Sequence, residues 1–334
     1  MRVLSDTGDD RRWRLLSLIA DGAVHSGADI ARHLGVSRTA VWQQVHALQA
    51  LGLEVDAARG AGYRLIGGID LLDVGRIREL LPSYPRGSLR GLTLYFETDS
   101  TNQRLLDLAR NHDAHAQACV AEVQTAGRGR RGRRWLGLIG HDVALSLAWR
   151  FNAALEALAG MSLVAGIAAR RALSRLGVGD GLMLKWPNDI LYREQKLAGI
   201  LVEVSGEMSG PCLAVIGVGV NIDLPAALRA KVQQPVTDLK AALASLPSRN
   251  EMVATLLADL VTALRDFEAD GFKSFIKEWT HHDAACGHEV DVSLPSGAVH
   301  GIAMGVTEEG ALRLNVAGAE RRLHTGEVSL RISS

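Results

Sequence analysis

Cysteine is nearly missing from this chain: Cys119, Cys212 and Cys286 are the only ones in 334 residues. They are far apart and odd in number, which excludes a disulfide framework and offers no zinc-ligand spacing; a reducing cytoplasm fits. Net charge is missing as well. Lys and Arg total 37, and so do Asp and Glu. That balance excludes a wholesale polyanion binder but leaves room for one small DNA-reading domain. No run of about 18 apolar residues occurs, so no membrane span is expected. Met1 to Asp10 is polar and acidic and lacks the apolar stretch of a signal peptide. Two common nucleotide signatures are absent too. No Gly-x-Gly-x-x-Gly follows a strand and opens a helix, and there is no Walker A motif. What is present is a 47% hydrophobic composition, hence a folded globular chain long enough for two or three domains.

Three units are expected, over residues 1–68, 69–283 and 284–334. In the first unit, Trp13, Leu15, Leu16 and Ile19 mark a helix over Arg11 to Ala20. Ser26 is placed to cap a second helix, Ala28 to Leu34, stopped by Gly35, and Ser37 to cap a third, Arg38 to Leu51. Ala31, Gly35 and Val41 stand at helix-turn-helix spacing. Two short strands around Gly60-Ala61-Gly62 add a wing. The DNA-binding expectation covers Gly27 to His46, with Ser37, Arg38, Thr39 and Gln43 near bases or phosphates and His46 on the outward face. The alternative is a small helical domain that only packs on its neighbour.

The middle unit is expected to be α+β, with a mixed, largely antiparallel sheet. Long helices are expected over Ala154 to Leu176 and Asn250 to Glu268. The last unit shows five short strand-like runs and no helix, which suggests a small SH3-like barrel of about fifty residues.

Four clusters in the middle unit carry chemistry. Residues 124–135, from Gln124 to Trp135, hold five arginines and three glycines. Glycine lets a backbone approach a ligand closely, and arginine forks grip carboxylate and phosphate oxygens. The loop is built to hold an anion and to move, or is a basic surface patch. Asp99-Ser100-Thr101-Asn102-Gln103 opens a helix over Arg104 to Arg110. It offers N–H groups and hydroxyls to a polar group, or is an N-cap and nothing more. Lys185-Trp186-Pro187-Asn188-Asp189, followed by Lys196, puts charge beside a sheet. Gly217-Val218-Gly219-Val220-Asn221 is a strand whose glycines admit a close neighbour.

In this order the four clusters closely resemble the biotin–protein ligases. The helix-turn-helix and the closing Gly326-Glu327-Val328-Ser329-Leu330-Arg331 resemble the family's bifunctional form, which also represses transcription. The resemblance spans about Arg11 to Arg331. It implies a class II synthetase-like catalytic domain that makes biotinyl-5′-AMP from biotin and ATP with Mg²⁺. The biotin is then passed to a lysine of the biotin carboxyl carrier protein of acetyl-CoA carboxylase. It further implies an adenylate-dependent homodimer on operator DNA. Residue by residue, Ser100, Thr101, Asn102 and Gln124 would hold biotin. Arg128, Gly129 and Arg130 would close over its carboxylate and the adenylate phosphate, and Lys196 would bind both. Arg131, Arg133, Trp135, Asn188 and Asn221 would lie at the nucleotide, with Trp135 on the adenine. Arg130, Lys196 and Asp189 are the catalytic candidates, Asp189 for the acceptor lysine's proton; the metal, carried with ATP, has no assigned protein ligand. Two stretches depart from the family: Gly140-His141-Asp142-Val143, where a polar Asn is usual, and the apolar Leu136-Gly137-Leu138-Ile139. The alternatives are a lipoate–protein ligase-like acyl-adenylate enzyme and a biotin-sensing transcription factor without catalysis.

Overall fold

Helix α1 (Thr7–Ile19) buries Trp13, Leu15, Leu16 and Ile19, as the spacing requires. Helices α2 (Gly27–Leu34) and α3 (Arg38–Ala50) begin at Ser26 and Ser37. Each serine hydroxyl accepts a helix N–H, from Asp29 at 3.0 Å and from Ala40 at 3.1 Å. Gly35 ends α2 at φ 64°, the left-handed cap a side chain would resist. Val41, Val45 and Leu48 fix α3 to the core, worth about 1.5–3 kcal/mol apiece. A two-stranded hairpin, β2 (Val55–Ala58) and β3 (Gly62–Leu65), completes this unit. The computed structural model describes residues 2–3, 7–58, 61–206, 210–294, 297–324 and 329–332. Gly60 of the expected wing turn, and residues 325–328 at the expected chain end, lie outside them.

Two short helices, α4 (Val74–Leu80) and α5 (Ser83–Ser88), lead into the catalytic unit. There β1 (Arg2–Val3), β4 (Gly91–Thr98), β5 (Gln117–Gln124), β6 (Asp142–Phe151), β7 (Leu182–Lys185), β8 (Asp189–Tyr192), β9 (Gln195–Gly206) and β10 (Cys212–Asn221) form one sheet. Among the described residues its order is β1-β4-β5-β6-β10-β9-β8-β7. The β1–β4 and β4–β5 pairs are parallel and the rest antiparallel. Helix α6 (Thr101–Asn111) starts one residue after the Ser100 cap, earlier than the Arg104 start expected from the sequence.

The long helix expected over Ala154 to Leu176 is broken. A 3₁₀ turn over Leu155–Leu158 precedes α7 (Met161–Arg175). The break sits at Gly160, whose φ is 82° and where a Cβ would fall 2.7 Å from the Phe272 ring. Short helices α8 (Ala226–Arg229) and α9 (Leu239–Ala242) follow β10. Helix α10 (Arg249–Asp270) is the second long helix, packed on α7, and α11 (Ile276–His282) closes the unit.

The C-terminal strands are β11 (Glu289–Leu294), β12 (Gly297–Val306), β13 (Leu312–Val316), β14 (Ala319–Leu323) and β15 (Ser329–Ile332). They form an antiparallel sheet of order β14-β13-β12-β11-β15. A buried indole joins this unit to the catalytic one: Trp186 Nε1 donates to Gly310 O at 3.1 Å.

The N-terminal unit is fixed to the large sheet, not tethered beside it. Arg12 pairs with Glu97 at 2.9 Å and Trp13 meets Phe96 edge-on. Behind them runs a buried network. Arg249, 3% exposed, pairs with fully buried Glu122 at 2.5 Å. Glu122 also accepts Leu72 N–H at 2.7 Å, and Arg249 N–H donates to Asp70 at 2.7 Å. The connecting segment is thereby stitched to β5 and α10. Among the described residues no helix is long and apolar enough to cross a membrane.

Candidate functional site

The four clusters, dispersed over more than a hundred positions, converge on one cleft of about 1140 Å³. Every residue assigned a biotin, nucleotide or catalytic role lines it, from Ser100 to Asn221. The geometry at each end differs in kind.

One end is lined mainly by polar, uncharged side chains and is bordered by the Arg128–Glu203 ion pair. Gln124, the last residue of β5, accepts from Thr101 N–H at 2.8 Å and from Thr101 Oγ1 at 3.1 Å. Ser146 on β6 donates to Asn102 Oδ1 at 2.5 Å and lies 2.7 Å from Thr101 Oγ1. Gly217 makes room, since a Cβ there would sit 2.5 Å from Asn102 Oδ1. Ser100 caps α6 without using its side chain on the helix, so its hydroxyl stays in the cleft. Aligned amide, hydroxyl and helix N–H dipoles suit a neutral, hydrogen-bonding ring.

The arginine loop forms a closed hairpin over the cleft. Arg128 and Arg134 pair as an isolated bridge, Gly129 N–H donates to Arg133 O at 2.7 Å, and Trp135 N–H to Gly127 O at 2.9 Å. Its tip is strained: Arg131, not a glycine, holds φ 58° beside Gly132 at φ 68°. Trp135 lies on the sheet where Gly219 has no side chain, since a Cβ would stand 2.5 Å from the indole. Its Nε1 donates to Asp142 at 3.0 Å. Burial pushes the Asp142 carboxyl up to about 6, against the pull of the Trp135 hydrogen bond and the Arg249 charge.

The other end is ionic. Asp189, where β8 begins, holds Lys196 at 2.6 Å and Lys185 at 3.6 Å. Arg130 reaches Asn188 Oδ1 at 3.5 Å. Burial pushes the Lys185 ammonium down, and Asp189 opposes it. Three cations thus crowd one carboxylate, a positive surplus that suits anions. The segment 228–236 also lines the cleft, held by Lys196 N–H on Pro235 O at 3.0 Å and by Asn221 Nδ2 on Thr237 O at 3.0 Å.

Ser146 is absent from the sequence-based site, and Asp142 and Glu203 appear in its quoted stretches (140–143 and 196–203) without a role. Ser146 had a legible signal, a lone hydroxyl inside an otherwise apolar strand. Glu203 had none, because an acid near a strand end reads as solvated.

Away from the cleft, α3 turns Arg38, Thr39, Trp42, Gln43 and His46 outward. Trp42 is 54% exposed, its ring edge-on to His46 at 4.1 Å. The Ser37 hydroxyl serves as the helix cap.

Such a cleft, polar at one end and cationic at the other, beside a helix-turn-helix, defines a ligase joined to a DNA-reading module. The family models agree. The biotin/lipoate A/B protein ligase family matches residues 94–221, an HTH domain 11–64, and the biotin protein ligase C-terminal domain 285–331. The chain is 38% identical to the bifunctional ligase/repressor BirA of Salmonella typhimurium, over 95% of this chain and 96% of that one. It is 36% identical to that of Escherichia coli over the same shares. The biotin protein ligase of Aquifex aeolicus, solved with biotin and ATP, superposes with a TM-score of 0.61 at 27% identity. That match covers 73% of this chain and all of the other. The chain belongs to the biotin protein ligase family, in its bifunctional ligase/repressor form.

Proposed function

We propose that the cleft makes biotinyl-5′-AMP and then biotinylates one lysine of a biotin carboxyl carrier protein, and that the adenylate is also the corepressor signal. The observation that carries this is the juxtaposition of an uncharged pocket around Asn102 with the Arg130, Lys185 and Lys196 cations. Biotin's ureido ring suits the first, held by Ser100, Thr101, Asn102 and Gln124. Its carboxylate and the α-phosphate of ATP suit the second.

Two anions must meet in the first step. A biotin carboxylate oxygen attacks the α-phosphorus and pyrophosphate leaves. Arg128, Arg130 and Lys196 supply positive charge where it is needed, with Gly129 letting the loop close in. Lys196 exchanges its Asp189 partner for the substrates. Arg131, Arg133, Asn188 and Asn221 flank the nucleotide, and Trp135 offers its ring to the adenine. The product is a mixed anhydride that water destroys, so a loop closing over it protects it. In the second step the lysine amine attacks the acyl carbonyl, AMP leaves and one proton is released. Asp189 takes or orients that proton.

Among the described residues no cluster of three metal-ligating side chains occurs. Mg²⁺ would come with the ATP phosphates and would offset the charge of the departing pyrophosphate. The functional units run over 1–68 (DNA), 69–283 (catalysis) and 284–334, the last as an SH3-like barrel. The outward face of α3 enters a major groove, a homodimer presents two such faces to an operator, and the protein works in the cytoplasm. The test is purified protein with biotin, MgATP and a carrier domain. Pyrophosphate release and a biotin-sized mass gain on one carrier lysine are expected; absence of both refutes the reading.

A further inference from the structure

Glu203 is a carboxylate bonded to two residues that line a cleft arranged for anionic substrates, Asn102 and Arg128, and none of the chemistry above uses it. It stands on β9 opposite Val215 of β10. Its Oε2 accepts from Asn102 Nδ2 at 2.8 Å and from Arg128 Nη2 at 3.0 Å. One oxygen therefore ties the floor of the uncharged pocket to the stem of the arginine loop.

Neither partner is free to drift. Asn102 is held from the other side by Ser146 and is seated over Gly217. Arg128 is held at its backbone by the bridge to Arg134. Its guanidinium is only partly used: Nε is buried without a hydrogen-bond partner among the described residues. A carboxylate that grips arginine side-on takes Nε and a terminal nitrogen together. Because Glu203 shares its oxygen with Asn102, it engages Nη2 and leaves the Nε–H unclaimed. A buried donor without an acceptor is destabilising. It is relieved when an acceptor arrives.

We infer that Glu203 is a positioning residue: it presets the Arg128 guanidinium beside Asn102 for capture of the acid substrate before the nucleotide enters. This rests on the function proposed above. It assigns the preorganisation of the acid subsite to an acidic residue, and makes acid capture, not turnover, the step that depends on it.

The test is Glu203→Gln, which keeps an oxygen for Asn102 Nδ2 and removes the charge facing Arg128. The KM for biotin, and its Kd measured calorimetrically without ATP, should rise about tenfold, the scale of one charge-assisted contact, while kcat stays within about twofold. Glu203→Asp, which keeps the charge and withdraws it by one methylene, should fall between wild type and Glu203→Gln. Combined with Arg128→Ala, Glu203→Gln should add nothing, because it acts through that guanidinium. If Glu203→Gln is insoluble, the same cycle is run with Glu203→Asp. An unchanged biotin Kd, a loss confined to kcat, or additive effects in the cycle overturns the inference. Wild-type protein that ligates no biotin defeats the proposed function instead.

Discussion

Replacing Asp142 by asparagine isolates one buried carboxyl bonded to Trp135 of the catalytic cleft. Asp142 is 5% exposed and its carboxyl is held up at about 6, from an ordinary 3.8, chiefly by burial. A folded-state value above the unfolded one means that the native protein keeps this proton where the unfolded chain has lost it. The contribution to stability is complete below about pH 4 and falls away as pH rises through 6. The displacement corresponds to about 3 kcal/mol. The amide of the Asp142→Asn variant would keep an oxygen for the Trp135 indole N–H and would not titrate. The other ionisable groups are common to both proteins, so subtraction removes most of their contribution. Urea unfolding at intervals from pH 4 to pH 7.5 is the assay. The stability of Asp142→Asn relative to wild type should climb by up to about 3 kcal/mol across that window and then level off. A difference that is flat with pH, or that falls, would refute the burial argument.

Four further outcomes are expected. Gly219→Ala puts a methyl where the indole of Trp135 lies, so ATP affinity should drop while biotin affinity holds; equal ATP binding would show that the indole is not part of the nucleotide site. Lys196→Ala removes a charge facing two anions and should lower kcat/KM by about 2–4 kcal/mol, with a loss under threefold excluding it from the site. Arg130→Gly should release adenylate faster than it slows its formation, read as stray biotin on bystander lysines; retention equal to wild type contradicts this. The Arg38→Ala, Thr39→Ala double mutant should lose operator binding and keep ligation, and wild-type DNA affinity should rise with biotin plus ATP and weaken steeply with salt. Parallel loss of both activities in the mutant would sink that separation.

Much of the site was legible because its residues are costly to keep for any other reason. Five arginines and three glycines in twelve positions cannot be a core element, and Gly217 and Gly219 leave gaps that only an adjacent group would require. The three N-terminal helices were legible from capping serines and apolar spacing. What stayed hidden depends on partners distant in sequence. Glu203 acquires meaning only when Asn102 and Arg128 arrive beside it. The break at Gly160 is dictated by Phe272, over a hundred residues away, while local composition favours one continuous helix. Helices α4 and α5 are too short for a periodicity to show.

The connecting segment bears on where this chain can be cut. Because Asp70 receives the Arg249 N–H and the Leu72 N–H reaches Glu122, the first residues after the DNA-reading unit belong structurally to the catalytic one. A ligase fragment begun at Ile69 keeps these bonds. One begun at Val74 leaves the Glu122–Arg249 pair short of its supports in the protein interior, where an incompletely satisfied ion pair is a liability of several kcal/mol. The seam between the two modules therefore lies ahead of Asp70, and a fusion or deletion that ignores it would damage the enzyme from behind, without touching its cleft.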